Sequence, residues 1–155
     1  MKAKHHFWSS LAAGGVLYWA TGSAAAFGGA MLGGFAIDAD HVLDQLWSIR
    51  RGAAPLGSAS VNRPRQSLYD RYFRRRKLVR LPLLFHSYEL LAVLIGLTAT
   101  LRTPLLIGLL SGYVLHLSMD VVRHHHEFLS PFFYSLSYRM VRGFQRDRLI
   151  RPEYL

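Results

Sequence analysis

Two long apolar stretches, at about 7–37 and 82–120, constrain this chain more than any other feature. A helix crossing bilayer hydrocarbon needs about 20 predominantly apolar residues. The first stretch is therefore too long for one ordinary span, and the second has room for two. An arginine-rich segment at about 50–80 separates them, and a second basic segment, about 139–151, follows. Half of the 155 residues are hydrophobic, yet the formal net charge is +10. Here the two properties are segregated, which reads as a small integral membrane protein whose basic loops face the cytoplasm. A nucleic-acid binder would share the high isoelectric point but would not need uninterrupted apolar runs. Membrane lipid is thus the expected partner, and nucleic acid is not. The chain has no cysteine, so disulfides and thiolate sites are excluded.

Breaks inside the apolar stretches define the helices. The first reads as two short helices, about 6–20 and 24–37, parted at Thr21-Gly22-Ser23, with one long tilted helix as the alternative. Gly29 and Gly33, four residues apart, give the second helix a flat face for close packing. Lys2 and Lys4 ahead of apolar residues, with Ser23-Ala24-Ala25-Ala26 downstream, also fit a cleavable leader, but the apolar run continues to Asp38. Pro82 opens a third helix, Arg102-Thr103-Pro104 turns the chain, and a fourth runs from about Pro104 to Arg123. The expectation is one all-α domain over 1–155, a small integral membrane bundle of about four transmembrane helices plus interfacial helices. A basic loop at about 45–80 reads first as a solvated topological signal, with a helix over Gln66 to Val79 that meets anionic head groups as the alternative. A basic amphipathic tail at about 128–155 would lie along the interface. The positive-inside rule puts both termini and the arginine loop in the cytoplasm.

Set into these apolar runs are His6, Asp38, Asp40, His41, Asp44, His86, Glu89, His116 and Asp120. Ionisable groups at membrane depth are costly and mark a functional site by default. Histidine with carboxylates is ligand chemistry for a divalent ion, zinc first, manganese or iron as alternatives. The topology brings His6, Asp38, Asp40, His41, His86, His116 and Asp120 to the cytoplasmic ends of their helices. His116 and Asp120, four apart, share one helix face, and Gly112 one turn earlier lets a neighbour approach. His86 and Glu89, three apart, would likewise share a face, with Glu89 as a candidate general base in apolar surroundings. His41 would serve as a ligand or behind one. His124, His125 and His126 splay round a helix and read as an interfacial cap.

At these residues the chain resembles the inner-membrane, metal-dependent hydrolase family described as LexA-binding or YdjM-like. The resemblance rests on His6 before HFWSSLAAGG, Asp38, Asp40 and His41 in AIDADH, His86-Ser87 in FHSYEL, and Gly112, Tyr113, His116 and Asp120 in GYVLHLSMD. Three departures stand out. Ile37 replaces a proline, Leu81 to Phe85 replace a His-Arg-Gly element, and Val121-Val122-Arg123 replace a Leu-Thr-Pro. The resemblance implies a bacterial inner-membrane hydrolase. The expected function is metal-dependent hydrolysis at the cytoplasmic face, with an anionic phosphoester or lipid-like substrate favoured by the arginines. The alternatives are a non-catalytic protein clamped by a structural metal and a basic anchor recruiting an anionic partner.

Overall fold

The computed structural model describes residues 3–41 and 81–154. The expected arginine loop, its interfacial helix and Asp44 lie outside the described residues.

The first apolar stretch folds as a helical hairpin, as the Thr-Gly-Ser break predicts. Helix α1 spans Ala3–Thr21 and α2 spans Ala24–Gly34. Gly22 turns the chain with φ +66°, a conformation that other residues adopt only under strain. The Ser23 hydroxyl then accepts from Ala26 N–H and caps α2. Helix α2 stops at Gly34, earlier than expected, and a 3-10 turn over Ala36–Asp38 swings the acidic residues off its axis.

The second stretch gives α3, Tyr88–Leu101, and α4, Pro104–His124. Arg102, in the left-handed region at φ 50°, makes the reversal between them. Thr103 caps α4, and Pro104 occupies a first-turn position where its missing N–H costs nothing. The third helix does not begin at Pro82 as expected. Residues 81–87 are an irregular strap, and Ser87 is the cap, accepting from Leu90 N–H at 3.2 Å. His86 therefore lies outside the helix that carries Glu89, and the shared-face argument for that pair fails.

Helix α2 sits between α1 and α4, and small residues allow the approach. A Cβ placed on Gly33 would overlap the Leu109 carbonyl oxygen, one on Gly108 that of Ala26, and one on Gly112 that of Ala30. Backbone thus meets backbone along a seam of Ala26, Gly29, Ala30 and Gly33 against Gly108 and Gly112, the small-residue packing used where solvent supplies no hydrophobic drive.

The C-terminal tail packs against the bundle. After a 3-10 turn at Pro131–Tyr134 and the short helix α5, Leu136–Val141, it folds back onto the bundle. Phe133, Tyr134, Leu149 and Ile150 are buried in one cluster with Leu81, Leu83, Leu94, Tyr113 and Leu117. The tail's aromatic residues therefore complete the core beside the 81–87 strap.

The described residues are helical with no named strand, in line with an all-α fold. Among them one helix, Pro104–Glu127, is long and apolar enough to cross a membrane. The 14-residue α3 is apolar but shorter, and the 11 residues of α2 rise only about 16 Å. Large apolar side chains nonetheless point outward from α1 to α4, among them Trp8, Val16, Trp19, Leu32, Val93 and Leu101.

Candidate metal centre

Each histidine reaches the centre from a different element. His6 comes from the first turn of α1, Asp38 and Asp40 from the chain leaving α2, His86 from the strap, and His116 with Asp120 from the last turns of α4. His6, His86 and His116 are each 1% exposed, and Asp40 and Asp120 are buried with them. Asp38 is 23% exposed at its side chain and His41 is 44% exposed, so these two form the open side.

Two hydrogen bonds fix how the imidazoles point. His86 Nδ1 lies 2.8 Å from Asp40 Oδ2, and His116 Nδ1 lies 2.7 Å from the Gly34 carbonyl oxygen. A carboxylate and a carbonyl only accept, so both Nδ1 atoms carry the proton and donate it. The two Nε2 atoms then face one another at 2.9 Å. In neutral rings both present lone pairs, and that approach requires a positive charge between or beside them.

Two carboxylate oxygens complete the set. Asp38 Oδ1 lies 3.6 Å from each Nε2. Asp120 Oδ2 lies 3.5 Å from His86 Nε2 and 3.4 Å from His116 Nε2. Five of the six edges of this four-atom figure therefore measure 2.9–3.6 Å. A tetrahedral zinc with bonds of about 2.0–2.1 Å has donor–donor edges of about 3.4 Å. The residues fit a divalent ion in both spacing and charge.

The other members have supporting places. His6 stacks on His116 with ring centroids 3.9 Å apart, and its Nε2 lies 3.2 Å from Asp120 Oδ1. Asp40 uses Oδ2 twice, accepting from His86 Nδ1 and from Phe85 N–H at 3.1 Å. It orients the His86 imidazole and raises its basicity, the usual role of a carboxylate behind a metal-bound histidine. His41 Nε2 lies 3.8 Å from Asp38 Oδ1, with its ring 4.9 Å from that of His86. Metal-competent triads accordingly form from His6, His116 and Asp120, from Asp38, His86 and His116, and from Asp40, His41 and His86. His6 Nδ1 and Asp40 Oδ1 are buried with no hydrogen-bond partner among the described residues.

The electrostatics follow from this crowding. Burial opposes charge on His86, but contacts with Asp38 and Asp40 outweigh it and lift the imidazole to about 9. Burial also works against the Asp38 carboxylate, and His86, His116 and His6 reverse that, leaving its pKa lowered. His41 is lowered, by desolvation first and by the His86 charge second, so its ring is neutral near pH 7.

Glu89 is not brought to this centre. Its carboxylate accepts from Ser135 Oγ at 2.8 Å, Leu136 N–H at 2.7 Å and Ser137 N–H at 2.9 Å. It caps the start of α5, and those donors leave it no reach toward the imidazoles. His124, His125 and His126 also stand apart, with His124 Nδ1 on Glu127 Oε1 at 2.7 Å and His125 Nδ1 on the Val122 carbonyl at 2.9 Å.

Two residues that sequence reasoning did not assign shape the strap. The Tyr113 hydroxyl sits 2.7 Å from the carbonyls of Phe85 and Ser87 and accepts from Ser87 N–H at 3.0 Å. Arg139, fully buried, donates to the carbonyls of Leu83 and His86. A tyrosine beside a glycine in an apolar helix carries a weak signal, and one arginine within a basic tail carries none.

Asp40→Asn tests the orienting role. The amide oxygen can still accept from Phe85 N–H, but the negative charge that holds the His86 tautomer is gone. Zinc affinity, measured by competition with a chromophoric chelator, is expected to fall about 10–100-fold with the fold intact. An unchanged affinity would remove Asp40 from the centre.

No family model, curated protein or solved structure matches this chain.

Proposed function

We propose that this chain is a membrane-embedded, metal-dependent hydrolase working at the cytoplasmic face, with an anionic phosphoester or lipid-like substrate. The carrying observation is the pair of Nε2 atoms at 2.9 Å, flanked by Asp38 and Asp120. His86, His116, Asp38 and Asp120 would hold the ion, zinc before manganese or iron, because mixed nitrogen and oxygen donors suit all three. When bound, such an ion would supply Lewis acidity, lowering the pKa of a water toward neutrality and polarising the scissile bond.

The chain's own residues supply the rest. Asp40 and the Gly34 carbonyl keep two imidazoles turned inward. His41, neutral and half-exposed beside Asp38, stands where a proton leaving water could be accepted. The net charge of +10 favours an anionic substrate. The outward-facing apolar side chains of α1 to α4 fit a bilayer environment for a four-span bundle. The basic segments favour cytoplasmic termini, and the YdjM-like resemblance agrees with an inner membrane.

A second reading has its own support. The near-complete burial of His86 and His116 suits a closed structural site that clamps the helices. One preparation separates the two. Protein purified in detergent is analysed for metal and assayed against phosphomonoester, phosphodiester and phospholipid substrates, with and without a chelator. Close to one ion per chain, with hydrolysis lost to the chelator and restored by zinc or manganese, supports the hydrolase. Bound metal without hydrolysis in every preparation leaves the clamp. Failure to bind any divalent ion removes both.

The ion must also displace the proton that metal-free His86 holds up to about 9. Below that pH each unit of acidification should weaken zinc binding about tenfold, and above it this dependence should vanish. Isothermal titration from pH 6.5 to 9.5 reads the slope, and a flat profile would show that His86 is not a ligand.

A further inference from the structure

We infer that Arg139, in the C-terminal tail, is a positioning residue that sets the affinity of the metal centre by holding the His86 strap in place. This rests on the metal reading above. Three observations carry it.

The first is how the arginine is held. Its guanidinium is fully buried, 0% exposed, on the six-residue helix α5. One nitrogen donates to the Leu83 carbonyl at 2.9 Å and another to the His86 carbonyl at 2.8 Å. Only a planar fork makes two such bonds in fixed directions at once. Burying a cation is costly, so a cation kept here among carbonyls marks a specific contact rather than a solvated charge.

The second is the strap itself. It is non-helical, and Leu83 sits at φ 43°, an unfavourable value for a leucine. Such a backbone persists only when its surroundings over-determine it. Leu81 N–H donates to the Phe144 carbonyl at 2.8 Å, so the tail grips the strap at Leu81, Leu83 and His86. Glu89 adds a fourth tie just beyond, where it caps α5.

The third is direction. The Arg139 bond falls on the backbone of His86, whose side chain meets Asp40, His116, Asp38 and Asp120. A ligand on an unsupported loop would have to be ordered by the ion. With the strap fastened beforehand, that ordering is complete before the ion arrives.

The test compares wild type with Arg139→Met, which keeps bulk and loses the fork, and Arg139→Lys, which keeps charge but not the paired bonds. Zinc affinity in detergent is expected to fall about 10–100-fold in Arg139→Met. The cobalt-substituted protein should show an altered d–d absorption spectrum, because the His86 nitrogen is displaced. On a His86→Ala background, where affinity is already reduced, Arg139→Met should have no further effect.

If Arg139→Met does not yield folded protein, Arg139→Lys carries the same comparison. Wild-type affinity and cobalt spectrum in the folded variant would overturn the proposal, even with a lowered melting temperature. So would an undiminished effect of Arg139→Met on the His86→Ala background. Wild-type protein that binds no metal is a separate outcome, which removes the metal reading itself.

Discussion

His116→Ala is expected to weaken zinc binding about 100–1,000-fold while leaving the metal-free protein folded. The magnitude follows from the binding free energy of a four-ligand zinc site, roughly 10–16 kcal/mol, or about 3–4 kcal/mol for each ligand. His116 contributes Nε2 to three of the five measured donor separations, and its Nδ1 bonds the Gly34 carbonyl at the end of α2, so its loss removes both a donor and the bond that aims it. In the metal-free chain the same substitution removes one hydrogen bond and the stack with His6, but it also separates two facing nitrogens. Those effects oppose one another. The readout is therefore the metal-induced shift in thermal unfolding. At zinc one hundred times the wild-type dissociation constant, wild type should gain about 2.7 kcal/mol, and the variant less than about 0.5 kcal/mol. Equal gains in both proteins would refute the assignment of His116 as a ligand.

Gly112→Leu is expected to damage fold and metal centre together. A Cβ at this position would overlap the Ala30 carbonyl oxygen and lie 2.8 Å from Gly34 N. Both obstacles are backbone, which cannot rotate aside, so α2 must move away from α4. Overpacking of this kind costs about 1–3 kcal/mol or more. The displacement has a second consequence, because the Gly34 carbonyl is the acceptor that fixes the His116 tautomer. The variant should melt earlier in detergent and bind zinc at least tenfold more weakly, about the loss that attends removal of a partner behind a metal ligand. Gly28→Leu is the control, since a Cβ there meets nothing within 4 Å. Matching melting curves and affinities for the two variants would show that the seam does not position the site.

Much of this arrangement is legible in the residue order. The Thr21-Gly22-Ser23 break, the Arg102-Thr103-Pro104 turn and the close approach at Gly29, Gly33 and Gly112 depend on local residue chemistry, and the structure has them all. The pair His116 and Asp120 needed only the helical repeat. Glu89 stands apart because 81–87 is a strap and not a helical turn, and Pro82 gives the same signal at a helix start as in an extended segment. The separate places of Asp38 and Asp40 were also out of reach. Both flank Ala39, and only the 3-10 turn decides that one faces His116 while the other backs His86.

What the amino-acid order determined alone is which segments are helical, where small residues let backbones touch, and that imidazoles and carboxylates gather toward one end. Hydropathy, capping and period are properties of neighbours along the chain. What only the tertiary structure decided is which nitrogen faces which, and that a tail arginine is buried beneath His86, 53 residues away. Those outcomes depend on how each helix is rotated about its axis and on bonds between distant residues, such as the 82-residue separation of Gly34 and His116. Rotation is set by packing against every neighbour at once, and no local pattern encodes it.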